Sequence, residues 1–348
     1  MVTTSPRLGA VIRERLREAS LHSIIVRSAS LIVVDTMAGV RRKLGRVGSE
    51  GGTTHQRLSI EQSADYISNV FKGYKRDGNI DRFRGVAAEL GPGDSAGLAL
   101  LLRNDGCDHV DLIDRFRPDR DESQQAAIYR ELSARFALDR FKSGTGDWDD
   151  DHFDGVTWHL GTSAEDFFAK LATRGERRYD SIVSQSVLEH LTDPIGAIAN
   201  MAATLRPGGV MLHRVDLRDH EMFSTDHHEL EFLRFPPRLY GLMTRNRGLP
   251  NRVLAPAYRR GLARLQSTIG LEWAVFVTWL VQAGAVDPPT EWEHIPKAQR
   301  DKAITSVRQF SPHIQRSFRT LSEDELAIAG IFIVARATDG DGSVGKAG

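Results

Sequence analysis

Four ionisable side chains, His213, Asp216, Asp219 and His220, fall within eight consecutive positions where the run Val210–Asp216 ends. A histidine of near-neutral pKa is suited to take a proton from a reacting group, and a neighbouring aspartate can orient its ring. A second group carries different chemistry. Val86–Leu90 is an apolar run of strand length containing Glu89, it stops at Gly91-Pro92-Gly93, and an apolar run of helical length follows from Ala96. Strand, glycine turn and helix in that order suit a nucleoside or phosphate, because glycines admit a ligand close to the backbone and a helix start offers N–H groups. Asp114 ends the next apolar run, at the distance suited to a ribose. Gly91-x-Gly93-x-x-Ala96 also satisfies the dinucleotide fingerprint, which keeps an NAD(P)-dependent oxidoreductase open. Glu89 argues against it, since a nicotinamide-binding strand is usually apolar at that point.

The pairing of Glu89-Leu-Gly-Pro-Gly93 with Asp114 resembles the class I S-adenosylmethionine-dependent methyltransferases. Tyr179-Asp-Ser-Ile-Val-Ser-Gln-Ser-Val-Leu-Glu-His-Leu191 is similar to that family's fourth strand and following turn, and Leu205-Arg-Pro-Gly-Gly209 to its turn into the fifth strand. The stretches around Ser59, Asp114-Arg-Phe116 and His213–His220 resemble bacterial members of polysaccharide and secondary-metabolite contexts. The resemblance implies a doubly wound, mostly parallel, seven-stranded α/β sheet of Rossmann-like type, with S-adenosylmethionine as cofactor. It also implies a sugar or small-molecule hydroxyl as acceptor. The cofactor residues it implies are Glu89, Gly91, Gly93 and Asp114, with Ser163, Ala164 and Gln185. Ser163 falls where the family often has an acid for the adenine amino group, so the contact carried over there is the backbone N–H of Ala164. Glu189 and His190 match a frequent Leu-Glu-His sequence whose histidine commonly serves cofactor or helix packing.

These groups need elements to hold them. Ser59–Tyr74 has helical spacing with Ile60, Ala64, Ile67 and Phe71 on one face, and in the family such a helix covers the cleft, where Tyr66 and Tyr74 either reach the ligand or are ordinary half-buried aromatics. Gly155–Leu160 reads as the third strand, and Thr162 or Ser163 as the cap of the helix after it. Along the fifth strand side chains alternate, so His213 cannot share a face with Asp216. His213 is therefore anchored in the sheet, while His220, past the strand end, is free to turn toward the acceptor with Asp216 or Asp219 orienting it. His220 is the first choice of base and His213 the second. The same cluster could hold a divalent metal or make plain structural hydrogen bonds, and no metal ligands are assigned.

The organisation expected is a helical extension and cleft cover over residues 1–80, a methyltransferase domain over 81–338, and a disordered tail over 339–348. A helical acceptor lid is expected as an insertion over about 221–289, with Pro288–Ile295 a weak sixth strand and Ile328–Arg336 the last. Leu8–Glu18 reads as an exposed helix and Gly45–Thr54 as a linker. Asp147–Asp154 lacks the glycine and terminal glutamate of a calcium loop and reads as solvated.

Composition limits partners and setting. Lys+Arg and Asp+Glu are equal at 46 each, so no global charge draws nucleic acid. Residues 23–40 form the most apolar N-terminal window, yet Arg27 and Asp35 interrupt it, so it neither spans a bilayer nor makes a signal peptide. It is read as a contact, onto the catalytic domain, a second copy or a peripheral surface. The single cysteine, Cys107, permits no internal disulfide and fits the reducing cytoplasm. A scaffold that binds cofactor without chemistry remains the other alternative.

Overall fold

Short runs of small and branched apolar residues make strands that must be covered on both faces, and the intervening amphipathic segments supply the cover. The structure, a computed structural model, describes residues 24–43, 54–118, 120–141, 148, 153–223 and 228–338. Helices α1 (Ile24–Lys43) and α2 (Ile60–Asp77) come first. Then β1 (Gly85–Leu90), α3 (Gly97–Asp105), β2 (Cys107–Asp114), α4 (Glu122–Phe136), β3 (Val156–Leu160), α5 (Ala164–Thr173), β4 (Tyr179–Gln185), α6 (Pro194–Thr204) and β5 (Leu205–Asp216) alternate. Helices α7 (Pro237–Thr244) and α8 (Ala255–Ile269) precede β6 (Leu271–Leu280) and β7 (Gly284–Thr290). Helices α9 (Lys297–Phe310) and α10 (Glu323–Ala327) lead into β8 (Ile328–Ala337).

The strands form one sheet in the order β3-β2-β1-β4-β5-β8-β6-β7. Neighbours from β3 to β5 are parallel, whereas β8 runs antiparallel to both β5 and β6, and β7 antiparallel to β6. Strand order reverses at β1/β4, so a crevice opens at the carboxyl ends of those two strands, where open α/β sheets take ligands.

The sheet has eight strands, one more than expected, and the difference lies in the segment read as a lid. Leu271–Leu280 is a long strand beside β8, with Leu271, Val275, Val277 and Leu280 buried. Its tryptophans, Trp273 and Trp279, disguise a strand pattern as lid composition. Gly284–Thr290 then pairs back as an edge strand, where Pro288 and Pro289 are tolerated because a free edge needs no donor. The helical insertion after β5 thus ends at Ile269, and a second one, residues 291–327, precedes β8.

Helix α2 starts at a capping box, in which the Ser59 hydroxyl accepts from the Gln62 N–H and the Gln62 side chain accepts from the Ser59 N–H. Ala64, Ile67, Phe71 and Tyr74 are buried on its inner face. Helix α1 packs on α7 and buries Leu31 and Asp35, while Val26, Val33, Met37 and Val40 are half or more exposed along its other side. No described helix is long and apolar enough to cross a membrane. The expected helix over 8–18 and the tail over 339–348 lie outside the described residues, as do Thr54's predecessors in the linker and most of the acidic loop.

Candidate functional site

A cavity of about 800 Å³ lies at the carboxyl ends of β1 and β4. The turn after β1 shapes it. Gly91 and Gly93 both have φ of +64°, a left-handed conformation that side chains disfavour. A Cβ on Gly91 would stand 2.6 Å from Val187 Cγ2, so the turn needs glycine for space as well as for angle. The start of α3 is less open than the sequence suggests: the Ala96 N–H donates to the Tyr129 hydroxyl at 3.0 Å and the Gly97 N–H to the Ser95 hydroxyl at 3.2 Å.

All seven expected cofactor residues, Glu89, Gly91, Gly93, Asp114, Ser163, Ala164 and Gln185, line this cavity. Asp114 Oδ1 accepts the Phe116 N–H at 2.8 Å. Burial pushes the Asp114 carboxyl up, and the Phe116 and Gly93 amides temper the rise. Glu89 is fully enclosed, its Oε2 has no hydrogen-bond partner, and burial with the nearby Asp114 charge pushes it up to about 8. Ser163 caps α5, accepting the Asp166 N–H at 3.1 Å and donating to Asp166 Oδ2 at 2.9 Å. Its hydroxyl is thereby occupied, and the Ala164 N–H, in the first helical turn, has no intrahelical acceptor.

Other walls come from distant segments. Tyr66, Ile67 and Val70 of α2 face the cavity, as do Ala38 of α1, Phe116, and the turn Asn246–Gly248. Tyr74 does not; it is buried and stacked on Phe332. Asn246 and Arg247 escaped sequence reasoning. The available signal was Asp35, a lone acid in an apolar helix, which is fully buried and bonded to both residues.

The four residues at the end of β5 part company. His213 is fully buried, with Nδ1 2.8 Å from the Ser184 hydroxyl, and burial pushes it down to about 3. It is held in the sheet and does not line the cavity. Asp219 is also buried away from the cavity, where its carboxylate accepts the Glu221 N–H at 3.2 Å. Asp216 and His220 come together: His220 Nε2 lies 3.4 Å from Asp216 Oδ2 and 3.8 Å from Glu189 Oε1. Burial pushes the Asp216 carboxyl up, but its bonds to Arg218 and His220 outweigh this and hold it well below the usual range. His220 itself does not line the cavity. His190 does, and the two rings meet edge to face with centroids 5.1 Å apart. Burial, aided by His220, pushes His190 down to about 4, so its ring is neutral at pH 7.

Residues 84–268 match the family model of a methyltransferase domain, which is more than half of the chain. No curated protein matches at the sequence level. Among solved structures, the YcgJ protein of Bacillus subtilis is 13% identical, with 79% of this chain and 99% of that one covered and a TM-score of 0.39. A sarcosine dimethylglycine methyltransferase assigned in Galdieria sulphuraria is 15% identical, covering 80% and 88%, with a TM-score of 0.36. The N-methyltransferase NodS of Bradyrhizobium japonicum, solved with S-adenosylhomocysteine, is 14% identical, covering 79% and 87%, with a TM-score of 0.33. The family model therefore carries the assignment: this chain belongs to the methyltransferase-domain family, the class I enzymes that use S-adenosylmethionine.

Proposed function

We propose that the chain transfers the methyl group of S-adenosylmethionine to a hydroxyl of a sugar or other small molecule. Glu89, Gly91, Gly93, Asp114, Ser163, Ala164 and Gln185 hold the cofactor in this reading. The observation that carries it is that these seven residues, drawn from four strand ends, line one cavity together with His190. The cofactor supplies a sulfonium-bound methyl carbon with a good leaving group, so the protein's share is alignment. Asp114 accepts from the ribose hydroxyls, and the unpaired Glu89 oxygen faces the ligand's positive charge. At Gly91 the left-handed backbone and the Val187 side chain against it hold the turn that lines the cavity in one shape.

A hydroxyl acceptor must also lose a proton. His190 forms the cavity wall, and His220 stands against it with Asp216 placed to stabilise the imidazolium. In this reading His220 takes the proton and Asp216 stabilises its imidazolium, which requires the turn after β5 to bring the His220 ring past His190 to the acceptor. Equal numbers of acidic and basic residues favour a small-molecule or glycan acceptor over nucleic acid. A cytoplasmic setting belongs to the same reading, since a single cysteine permits no internal disulfide.

Incubation with S-adenosylmethionine and a panel of glycosides and small alcohols, read by mass spectrometry for methylated product and S-adenosylhomocysteine, tests the reading. Turnover of His220→Ala should fall by a factor on the order of a hundred or more while calorimetric cofactor affinity stays within a few-fold. A fully active His220→Ala enzyme removes the base. Cofactor binding without product from any hydroxyl returns the chain to a binding scaffold.

A further inference from the structure

Glu189 is an anomaly of this fold. Its side chain is almost wholly buried, and neither carboxylate oxygen has a hydrogen-bond partner. The Ser186 hydroxyl and the backbone N–H groups of Glu189 and Asp216 point toward it and offset its burial only in part, while the neighbouring Asp216 carboxylate adds a charge of the same sign. Arg218 spends its backbone N–H, Nε and Nη2 on Asp216, at 3.0, 2.9 and 2.7 Å. A carboxylate buried this deeply, with marginal donors and the His220 ring 3.8 Å away, is retained at a cost in stability unless something else compensates it.

What faces it is a pair of imidazoles. One ligand atom each from Glu189, His190 and His220 can be chosen so that all three lie within 4.8 Å of one another. Ligand atoms that share one ion at about 2.1 Å sit about 3 to 3.4 Å apart, so the group needs to contract by up to about 1.4–1.8 Å. His190 Nδ1 is buried and unpartnered, and the Gly248 backbone on the ring's other edge fixes its orientation, as outer partners of metal-bound histidines do. The turn Leu188–His190 that carries two of the three groups is pinned by Asn251. Its backbone N–H donates to the Glu189 carbonyl at 2.5 Å, and its side chain donates to the Leu188 and Leu191 carbonyls at 2.9 and 3.0 Å.

We propose that Glu189, His190 and His220 form a binding site for one first-row divalent metal ion at the edge of the cavity. Two imidazoles with one carboxylate favour Mn²⁺, Fe²⁺, Co²⁺ or Zn²⁺ over Mg²⁺ or Ca²⁺, which prefer oxygen donors throughout. His190 is also a wall of the cavity, so the group lies at the edge of the acceptor space. Its role rests on the hydroxyl-methylation reading. A divalent ion held there would lower the pKa of an acceptor hydroxyl as it does that of water, so that its proton could leave to solvent water, and His220 would then hold the ion in place of acting as the base.

Titration of the whole, chelator-treated protein with Mn²⁺ alone tests the site, with no cofactor or acceptor present. Calorimetry and electron paramagnetic resonance should report one bound Mn²⁺ per chain, and the ion should raise the melting temperature. Glu189→Gln and His220→Ala should each weaken binding by about 100-fold or more. His294→Ala, at a solvent-exposed imidazole, should bind as the unaltered protein does. Should Glu189→Gln fail to fold, His220→Ala alone decides. Absence of binding by the unaltered protein to either Mn²⁺ or Zn²⁺, or equal binding by Glu189→Gln, overturns the site. Methylation of a hydroxyl with no Mn²⁺ bound would sink this proposal and leave the reaction class standing. Tight Mn²⁺ binding without hydroxyl methylation would do the reverse.

Discussion

The carboxylate of Asp35 accepts hydrogen bonds from the backbone and side-chain nitrogens of Asn246, at 2.9 and 2.8 Å and 211 positions further along the chain. The Arg247 N–H adds a third at 3.1 Å. Helix α1 is thereby fastened to a turn that forms one wall of the cavity, and Ala38, one turn on, reaches the same wall.

Asp35→Ala should leave those donors buried without an acceptor, a loss of about 1–3 kcal/mol. Hydrogen exchange over residues 24–43 should quicken, and cofactor affinity should fall with the loosened wall. Exchange unchanged from that of the unaltered chain would mean that Leu31 and its apolar neighbours hold the helix by themselves.

Gly91→Val places a branched side chain at a positive φ and against Val187. The turn must shift, and S-adenosylmethionine affinity measured by calorimetry should drop by at least about tenfold, or 1.4 kcal/mol. Near-native affinity in a folded Gly91→Val protein would move the cofactor away from this turn.

Glu89 links pH to both stability and binding. Its carboxyl is raised from 4.5 to about 8 in the folded chain, first by burial and then by Asp114. Between those values the folded state keeps a proton that the unfolded state has lost, so this group's contribution to stability falls as pH rises through that window. Glu89→Gln should therefore melt higher than the unaltered chain at pH 8 and nearly alike at pH 4, the gap widening as pH rises between them. The cofactor's positive charge favours ionised Glu89, so binding at pH 7 should release a proton and Glu89→Gln should bind more weakly. Calorimetry in two buffers of different ionisation enthalpy measures the release. If no proton is released and Gln binds equally well, Glu89 does not face the cofactor's charge.

His213 has the opposite sign. Burial lowers it from 6.5 to about 3, so the unfolded chain binds a proton across that range and the folded chain does not. Stability should fall as pH drops below about 6.5, with His190, lowered to about 4, contributing the same way. His213→Gln keeps a partner for Ser184 and should flatten this dependence in scanning calorimetry at a series of pH values. Its turnover should stay within a few-fold, because His213 does not line the cavity. A folded His213→Gln protein that has lost turnover would restore His213 as a candidate base.

Local rules made much of this molecule legible from its residues alone. A left-handed turn demands Gly91 and Gly93, a capping box marks the start at Ser59, and alternation along Val210–Asp216 separates His213 from Asp216 before any coordinates are known. Each depends on backbone geometry over a few residues. The assignment of Glu89 and Asp114 to one cavity also came from their strand ends, since parallel strands bring their carboxyl termini to the same crevice. Other features were set by distance through space. Leu271–Leu280 became a sheet strand because β8 offered it a partner, a pairing that aromatic composition concealed. Asp219 and His220 are adjacent in sequence, yet burial takes one away from the site while the turn after β5 brings the other to Asp216 and Glu189. Only packing from every side enclosed Glu189, because how well a carboxylate is satisfied depends on all the groups that surround it, and those come from across the chain.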